Sequence, residues 1–233
     1  MKTKDGIGRR HFLFRAAVPV AAVNVFGAVA SPTDVMAASN PSYKPSFFST
    51  EEWSFINAVV DRLVPAGGKG PGGVEAGVPE FIDRQMEMPY GHGGTTYMQG
   101  PFQRDLPATL GYQLPYTPRD LYRKGIASAD KACRAAHGMP FHLLAIEQQD
   151  AFLGLMEKGG IGEAEPPLAA VFAQLLENTH EGYFADPMYG GNRDMGAWKS
   201  IGFPGARADF TDWLDQPGKP YPFGPVSING RRS

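Results

Sequence analysis

The chain has 233 residues, 42% of them apolar and 20% charged, with a formal net charge of −2. That length suffices for one domain with a real core, and a mildly acidic chain without a basic stripe is excluded from ordinary nucleic-acid binding. The lone cysteine, Cys133, excludes an internal disulfide.

The first element is a signal. Gly8-Arg9-Arg10-His11-Phe12-Leu13-Phe14 leads into an apolar stretch that runs to about Ala30. Arg9 and Arg10, followed by Phe12 and Leu13, read as a twin-arginine export signal, which a receptor recognises and which does not itself anchor the chain. Arg15, Pro19, Asn24 and Gly27 interrupt the stretch, so it falls short of the roughly 20 strongly apolar residues of a spanning helix. Small-x-small cleavage sites end at Ala30 and at Ala37. The second is preferred, because Ser31-Pro32 would break the apolar helix just before the cut. An uncleaved signal anchor is the other reading. Removing 1–37 leaves 196 residues with a net charge of −5. The twin-arginine route carries folded cargo, often with a cofactor or a partner in place, and a chain without disulfides suits folding in a reducing cytoplasm.

Residues 38–46 read as an extended leader, 47–215 as a single, mainly α domain, and 216–233 as an extended Pro/Gly-rich tail. Ser49-Thr50-Glu51-Glu52 has the form of a capping box. It opens a helix with Trp53, Ile56, Val59, Val60 and Leu63 on one face, ended by Pro65. A second helix starts near Pro79 with Phe81, Ile82 and Met86. Residues 89–116 show no period and are long for a structureless loop. Thr117-Pro118-Arg119-Asp120 starts a third helix, with Leu121, Tyr122, Ile126, Ala129 and Cys133 inward. A fourth runs from Ala145 to Lys158 with Ile146, Phe152, Leu153, Leu155 and Met156, stopped by Gly159-Gly160. The fifth begins at Pro166-Pro167 and reaches Phe184, with Leu168, Val171, Phe172, Leu175, Leu176 and Thr179 along it. A short helix near Asp194–Ile201 bears Trp198. No run alternates with period 2, and the 29 glycines and 21 prolines punctuate helices as long ordered loops.

Motifs for chemistry are sparse. His180-Glu181, with Glu177 and Asp186 nearby, suggests a metal site, but the spacing does not match H-E-x-x-H; a polar helix end is the favoured reading. His92, His137 and His142 form no ligand set. The glycine-rich loops 67–73 and 90–94 match no phosphate-binding pattern and follow no strand, so they read as turns. No nucleophile motif surrounds a serine or Cys133, and no FAD, haem or nicotinamide motif is present. The expectation is therefore that catalytic, cofactor-binding and metal-ligating residues are absent from this chain.

The segment 182–205 stands apart. Tyr183, Phe184, Tyr189 and Trp198 are interleaved with Asp186, Arg193, Asp194 and Lys199, and Gly190-Gly191-Asn192 suits left-handed backbone. Tyr, Trp and Arg are enriched at interface hot spots. These residues, with Asn192, are the candidates for a partner interface. A self-packed loop with Arg193 paired to Asp186 or Asp194 is an equal reading, and the two are compatible.

These residues carry a resemblance. Asp61-Arg62-Leu63-Val64-Pro65-Ala66, Glu75-Ala76-Gly77-Val78-Pro79, Tyr97-x-x-Gly100-Pro101-Phe102 and Leu121-Tyr122-Arg123-x-Gly125-Ile126 contribute to it. The block Thr179 to Asp194 with Trp198-Lys199-x-Ile201-Gly202-Phe203-Pro204-Gly205 is the most specific. Over about residues 47–210 the chain resembles the gluconate 2-dehydrogenase subunit 3 family. The resemblance implies a non-catalytic small subunit of a periplasmic, membrane-associated dehydrogenase of sugars, sugar acids or polyols. It also implies partners: a large subunit bearing FAD that travels on this chain's signal through the twin-arginine translocase, and a multi-haem cytochrome c subunit. It supplies no catalytic residues.

Overall fold

Two of the helices begin where a side chain satisfies their first free amides. The computed structural model describes residues 42–233 apart from 105 and 163; the export-signal residues Arg9, Arg10, Phe12 and Leu13 lie outside them. Helix α1, Thr50–Leu63, starts at a true capping box: the Ser49 hydroxyl accepts from the Glu52 amide, and the Ser49 amide donates to Glu52. Helix α2, Val78–Glu87, has Pro79 in its first turn. Helix α3, Pro118–His137, repeats the capping box with Thr117 and Asp120. Helix α4 is Ile146–Glu157, helix α5 Leu168–Phe184 and helix α6 Gly196–Ile201. Among the described residues there is no strand, only isolated bridges near the C-terminus.

The six helices form one all-α domain around α5, which touches every other helix. Leu168, Val171 and Leu175 of α5 are buried with Ile56, Val59 and Val60 of α1, Phe81 and Ile82 of α2, Tyr122 and Ile126 of α3, and Phe152 and Met156 of α4. Helix α4 departs from the sequence reading. Ile146 and Leu155 are about half exposed, whereas Gln149 is buried, because its side-chain amide donates to the Phe141 carbonyl at 3.1 Å. A polar group can enter a core when it finds such a partner.

Two polar anchors hold the periphery. Asp83, fully buried on the apolar side of α2, accepts from Tyr43 Oη at 2.7 Å, Ser46 N at 2.8 Å, Ser46 Oγ at 3.0 Å, Phe47 N at 3.1 Å and Phe48 N at 3.0 Å. One carboxylate thus fixes the segment that enters α1, and Phe47 and Phe48 are buried as a result. Arg119 and Arg123 of α3 cover the Phe47 ring at 4.5 and 4.2 Å, and Arg123 also reaches the Glu52 carboxylate and the Phe47 carbonyl. The second anchor is Asn178 of α5. Its Oδ1 accepts from Tyr122 Oη at 3.0 Å, and its Nδ2 donates to Tyr90 Oη at 2.9 Å and Glu181 Oε2 at 3.0 Å.

The aperiodic stretch 89–116 is therefore pinned rather than loose. Besides Tyr90, the Gly91 carbonyl accepts from Arg119 N at 3.2 Å, and Arg104 forms two bonds to Glu165 at 2.8 and 3.0 Å. The glycine-rich loop before α2 is a turn. Its Gly72 amide donates to Glu75 Oε2 at 2.7 Å and Gly73 N donates to the Val64 carbonyl at 2.8 Å.

Replacing Asp83 with Ala strands buried donors that an apolar side chain cannot satisfy. The expected loss is about 2–4 kcal/mol of unfolding free energy, measured by urea denaturation; a loss under about 1 kcal/mol would contradict the anchor.

Burial, with a smaller contribution from Asp130, pushes the Cys133 thiol up from 9.0 to about 12. Burial likewise raises Tyr122 and Tyr90, and in Tyr43 the Asp83 bond adds to the burial. These groups stay protonated in the folded state at pH values where the unfolded chain would release protons. Their stabilisation is therefore complete below about pH 9 and is lost as pH rises toward the raised values. The melting temperature is expected to hold to about pH 9 and fall from there to pH 12. At pH 8 a thiol reagent should label Cys133 only after denaturation; prompt native labelling would contradict its burial.

Candidate partner-docking surface

The loop after α5 is built on a close crossing of backbones. Gly182, on the last turn of α5, faces α2 so tightly that a Cβ would lie 2.7 Å from the Phe81 ring. The chain then doubles back, and a Cβ on Gly191 would sit 2.0 Å from the Gly182 carbonyl oxygen. Both positions require a residue without a side chain. Between them Pro187–Tyr189 form a 3-10 turn, which Asp186 caps by accepting from Met188 N at 3.1 Å.

Asn192 closes the loop from inside. It is fully buried, its Nδ2 donates to the Ala185 carbonyl at 3.0 Å, and its Oδ1 accepts from Ala197 N at 3.0 Å. It therefore links the end of α5 to the first turn of α6. Asn192, Asp194 and Met195 adopt φ of 43, 54 and 55°, a left-handed backbone rare for residues with a Cβ. Such strain persists only where surrounding contacts determine it. Here Arg193 N donates to the Ala76 carbonyl at 2.9 Å, Met195 is fully buried, and Trp198 Nε1 donates to the Phe184 carbonyl at 2.9 Å.

The sequence candidates divide between inside and outside. Asn192, Asp186 and Trp198 are buried, and Tyr183 is half-buried, its hydroxyl donating to the Pro71 carbonyl at 2.8 Å. Arg193 pairs with neither Asp186 nor Asp194. It donates to the Glu75 carbonyl at 3.2 Å and approaches Glu80 at 3.7 Å, because its own amide is bonded to Ala76 and directs it toward α2. Asp194 meets Arg231 at 2.7 Å instead. Phe184, Tyr189, Asp194 and Lys199 face solvent. Met188, Ile201 and Phe203 are exposed as well, at 46, 62 and 44%, and the Phe203 ring packs edge-on against Trp198 at 5.1 Å. The segment thus has a buried half and an exposed apolar half, and Met188, Ile201 and Phe203 are exposed within it although the sequence reading passed over them. Their place in the segment 182–205 was the available signal.

His180 and Glu181 do not converge with Asp186. Both are exposed on α5, Glu181 turns to Asn178, and Asp186 spends its oxygens on Met188 N and Ile228 N. Among the described residues no group of three or more His, Cys, Asp or Glu side chains could hold a metal ion. No described helix is long and apolar enough to cross a membrane. His92 lies 3.3 Å from an Arg119 guanidinium nitrogen through Nε2.

The described residues form an all-α domain that carries a braced surface loop. The family model for gluconate 2-dehydrogenase subunit 3 matches residues 50–205, and the chain belongs to that family. No curated protein and no solved structure matches it. The family is consistent with a small subunit of a dehydrogenase complex.

Asn192→Ala removes both bridging bonds and places a Cβ-branch-free but non-amide residue in left-handed backbone. The expected cost is about 2–3 kcal/mol, read as a lowered urea midpoint with an unchanged slope; an unaltered midpoint would show that the loop does not need the bridge.

Proposed function

We propose that this chain is a non-catalytic small subunit of a periplasmic, inner-membrane-associated flavoprotein–cytochrome c dehydrogenase of the gluconate 2-dehydrogenase type. It escorts the FAD-bearing subunit through twin-arginine export and stabilises it afterward. The observation that carries this reading is the braced 182–205 loop, with its outward Phe184, Met188, Tyr189, Ile201 and Phe203, in a chain of the subunit 3 family. Rigid aromatic residues bury large area on association at little cost in side-chain freedom. Lys199 and the Asp194–Arg231 pair add polar groups to this apolar set, a combination that resembles the core and rim of protein interfaces.

In this reading FAD and haem c belong to partner subunits, the sugar, sugar-acid or polyol substrate binds the FAD subunit, and Arg9 and Arg10 serve the whole complex. The FAD subunit has no export address of its own and crosses bound to this chain. Localisation at the inner membrane then follows from the cytochrome subunit.

Two measurements test the proposal. Changing Arg9 and Arg10 to Lys should leave the FAD subunit in the cytoplasmic fraction; normal periplasmic delivery of that subunit would end the escort role. Tyr189→Asp and Phe184→Asp place charge in the apolar face and should each lower co-purification of the flavoprotein by about tenfold or more, with the helical circular dichroism unchanged. Undiminished co-purification would move the interface elsewhere.

A further inference from the structure

The family match ends at residue 205, and the segment beyond it returns to the aromatic loop. Ala206 N donates to the Val226 carbonyl at 2.7 Å, and Val226 N donates to the Pro204 carbonyl at 3.2 Å. Past this tie the backbone closes into a turn, with Gly230 N donating to Ser227 O and Ser227 N to Arg231 O, each at 2.9 Å. Residues 216–233, expected to be extended, are thus folded back at their end, since the loop offers acceptors for amides that would otherwise face water.

Two contacts join the turn to the loop. Ile228 N donates to Asp186 Oδ2 at 2.7 Å, and Arg231 Nη2 donates to Asp194 Oδ1 at 2.7 Å. The ion pair is exposed on both sides and contributes little by itself. The Asp186 bond is different. Asp186 is 6% exposed and its other carboxylate oxygen caps the Pro187–Tyr189 turn, so one buried residue couples the tail to the segment that presents Met188 and Tyr189. Ser227 beside it is buried too. The loop has need of such restraint, because three of its residues with a Cβ hold left-handed backbone, a conformation that relaxes when surrounding contacts are lost.

We infer that residues 225–233 form a strap that holds the 186–203 loop in one shape, so that the tail sets partner affinity by keeping the docking face ordered in advance. A loop already held in its bound shape loses less conformational freedom on association. The strap rests on the proposed docking face and adds the element that controls it.

Hydrogen–deuterium exchange of the full chain, of a chain ended after Gly224, and of Asp186→Asn tests this. Asn keeps the shape of Asp186 but replaces one acceptor with a donor that opposes the Ile228 amide. Exchange at Tyr189, Gly190, Arg193 and Met195 is expected to rise about tenfold in both variants, while α1 and α3 keep their protection. Wild-type rates at these amides in the shortened chain overturn the strap. Equal loosening of α1 and α3 overturns it as well, since the tail would then be a general stabiliser. Capture of the FAD subunit is scored separately. Faster exchange with weaker capture supports the strap and its role in docking. Faster exchange with unchanged capture retains the strap as a restraint and overturns its control of affinity, while the docking face stands or falls separately with the Tyr189→Asp and Phe184→Asp variants.

Discussion

Helix α5 is the constraint on which the rest depends. Its apolar side meets all five other helices, so every helix of the described chain is positioned relative to it. Its polar residues are equally committed: Gln174 donates to the Pro118 carbonyl at 2.9 Å and Asn178 gathers Tyr90 and Tyr122. A helix buried on several sides cannot slide or rotate without breaking these bonds, since buried polar groups that lose partners cost more than the bonds add when made. The last turn of α5 is therefore a fixed platform. From it the chain leaves through Gly182 into the loop that carries the exposed aromatics.

Rigidity passes outward along a short path. The Gly182–Gly191 approach sets the depth of the loop, Asn192 ties it to α6, and Trp198 of α6 returns a bond to Phe184. Asp186 then extends the same restraint to the tail. The apolar residues that remain outside are few but held in place, which is what a docking surface requires. The segment that enters α1 is held by one buried carboxylate in a similar way: Asp83 gathers residues 43–48 as Asp186 gathers 188 and 228. Both are acceptors for backbone amides that have no place in a helix.

Helix positions were legible in the sequence because their signals are local. The boxes Ser49–Glu52 and Thr117–Asp120, and Pro79 and Pro118 in first turns, act over three or four residues and need no distant partner. The inward face of α3, from Leu121 to Cys133, followed from period alone. Helix α4 was less legible, because Ile146 and Leu155 are apolar yet face solvent, and only the Phe141 carbonyl explains why Gln149 replaces them inside. In the 182–205 segment the composition did not separate the residues that turn inward from those that face solvent. Asn192 and Trp198 look as suited to an interface as Tyr189 does until the Ala185 and Phe184 carbonyls are seen to claim them.

The sequence by itself determined a mainly α domain, the helix starts and most of the core, since capping chemistry and apolar period are properties of neighbouring residues. It also marked the family, through one long specific block. Tertiary structure alone decided what Asp83, Asp186 and Arg193 do, which aromatics face outward, and where the tail goes. Each of those outcomes depends on an acceptor or a ring supplied by residues distant in the chain: Asp83 for residues 43–48, Asp186 for Ile228, Glu75 and Glu80 for Arg193. A side chain's chemistry limits the partners it can take, but only the folded backbone brings one of them within reach.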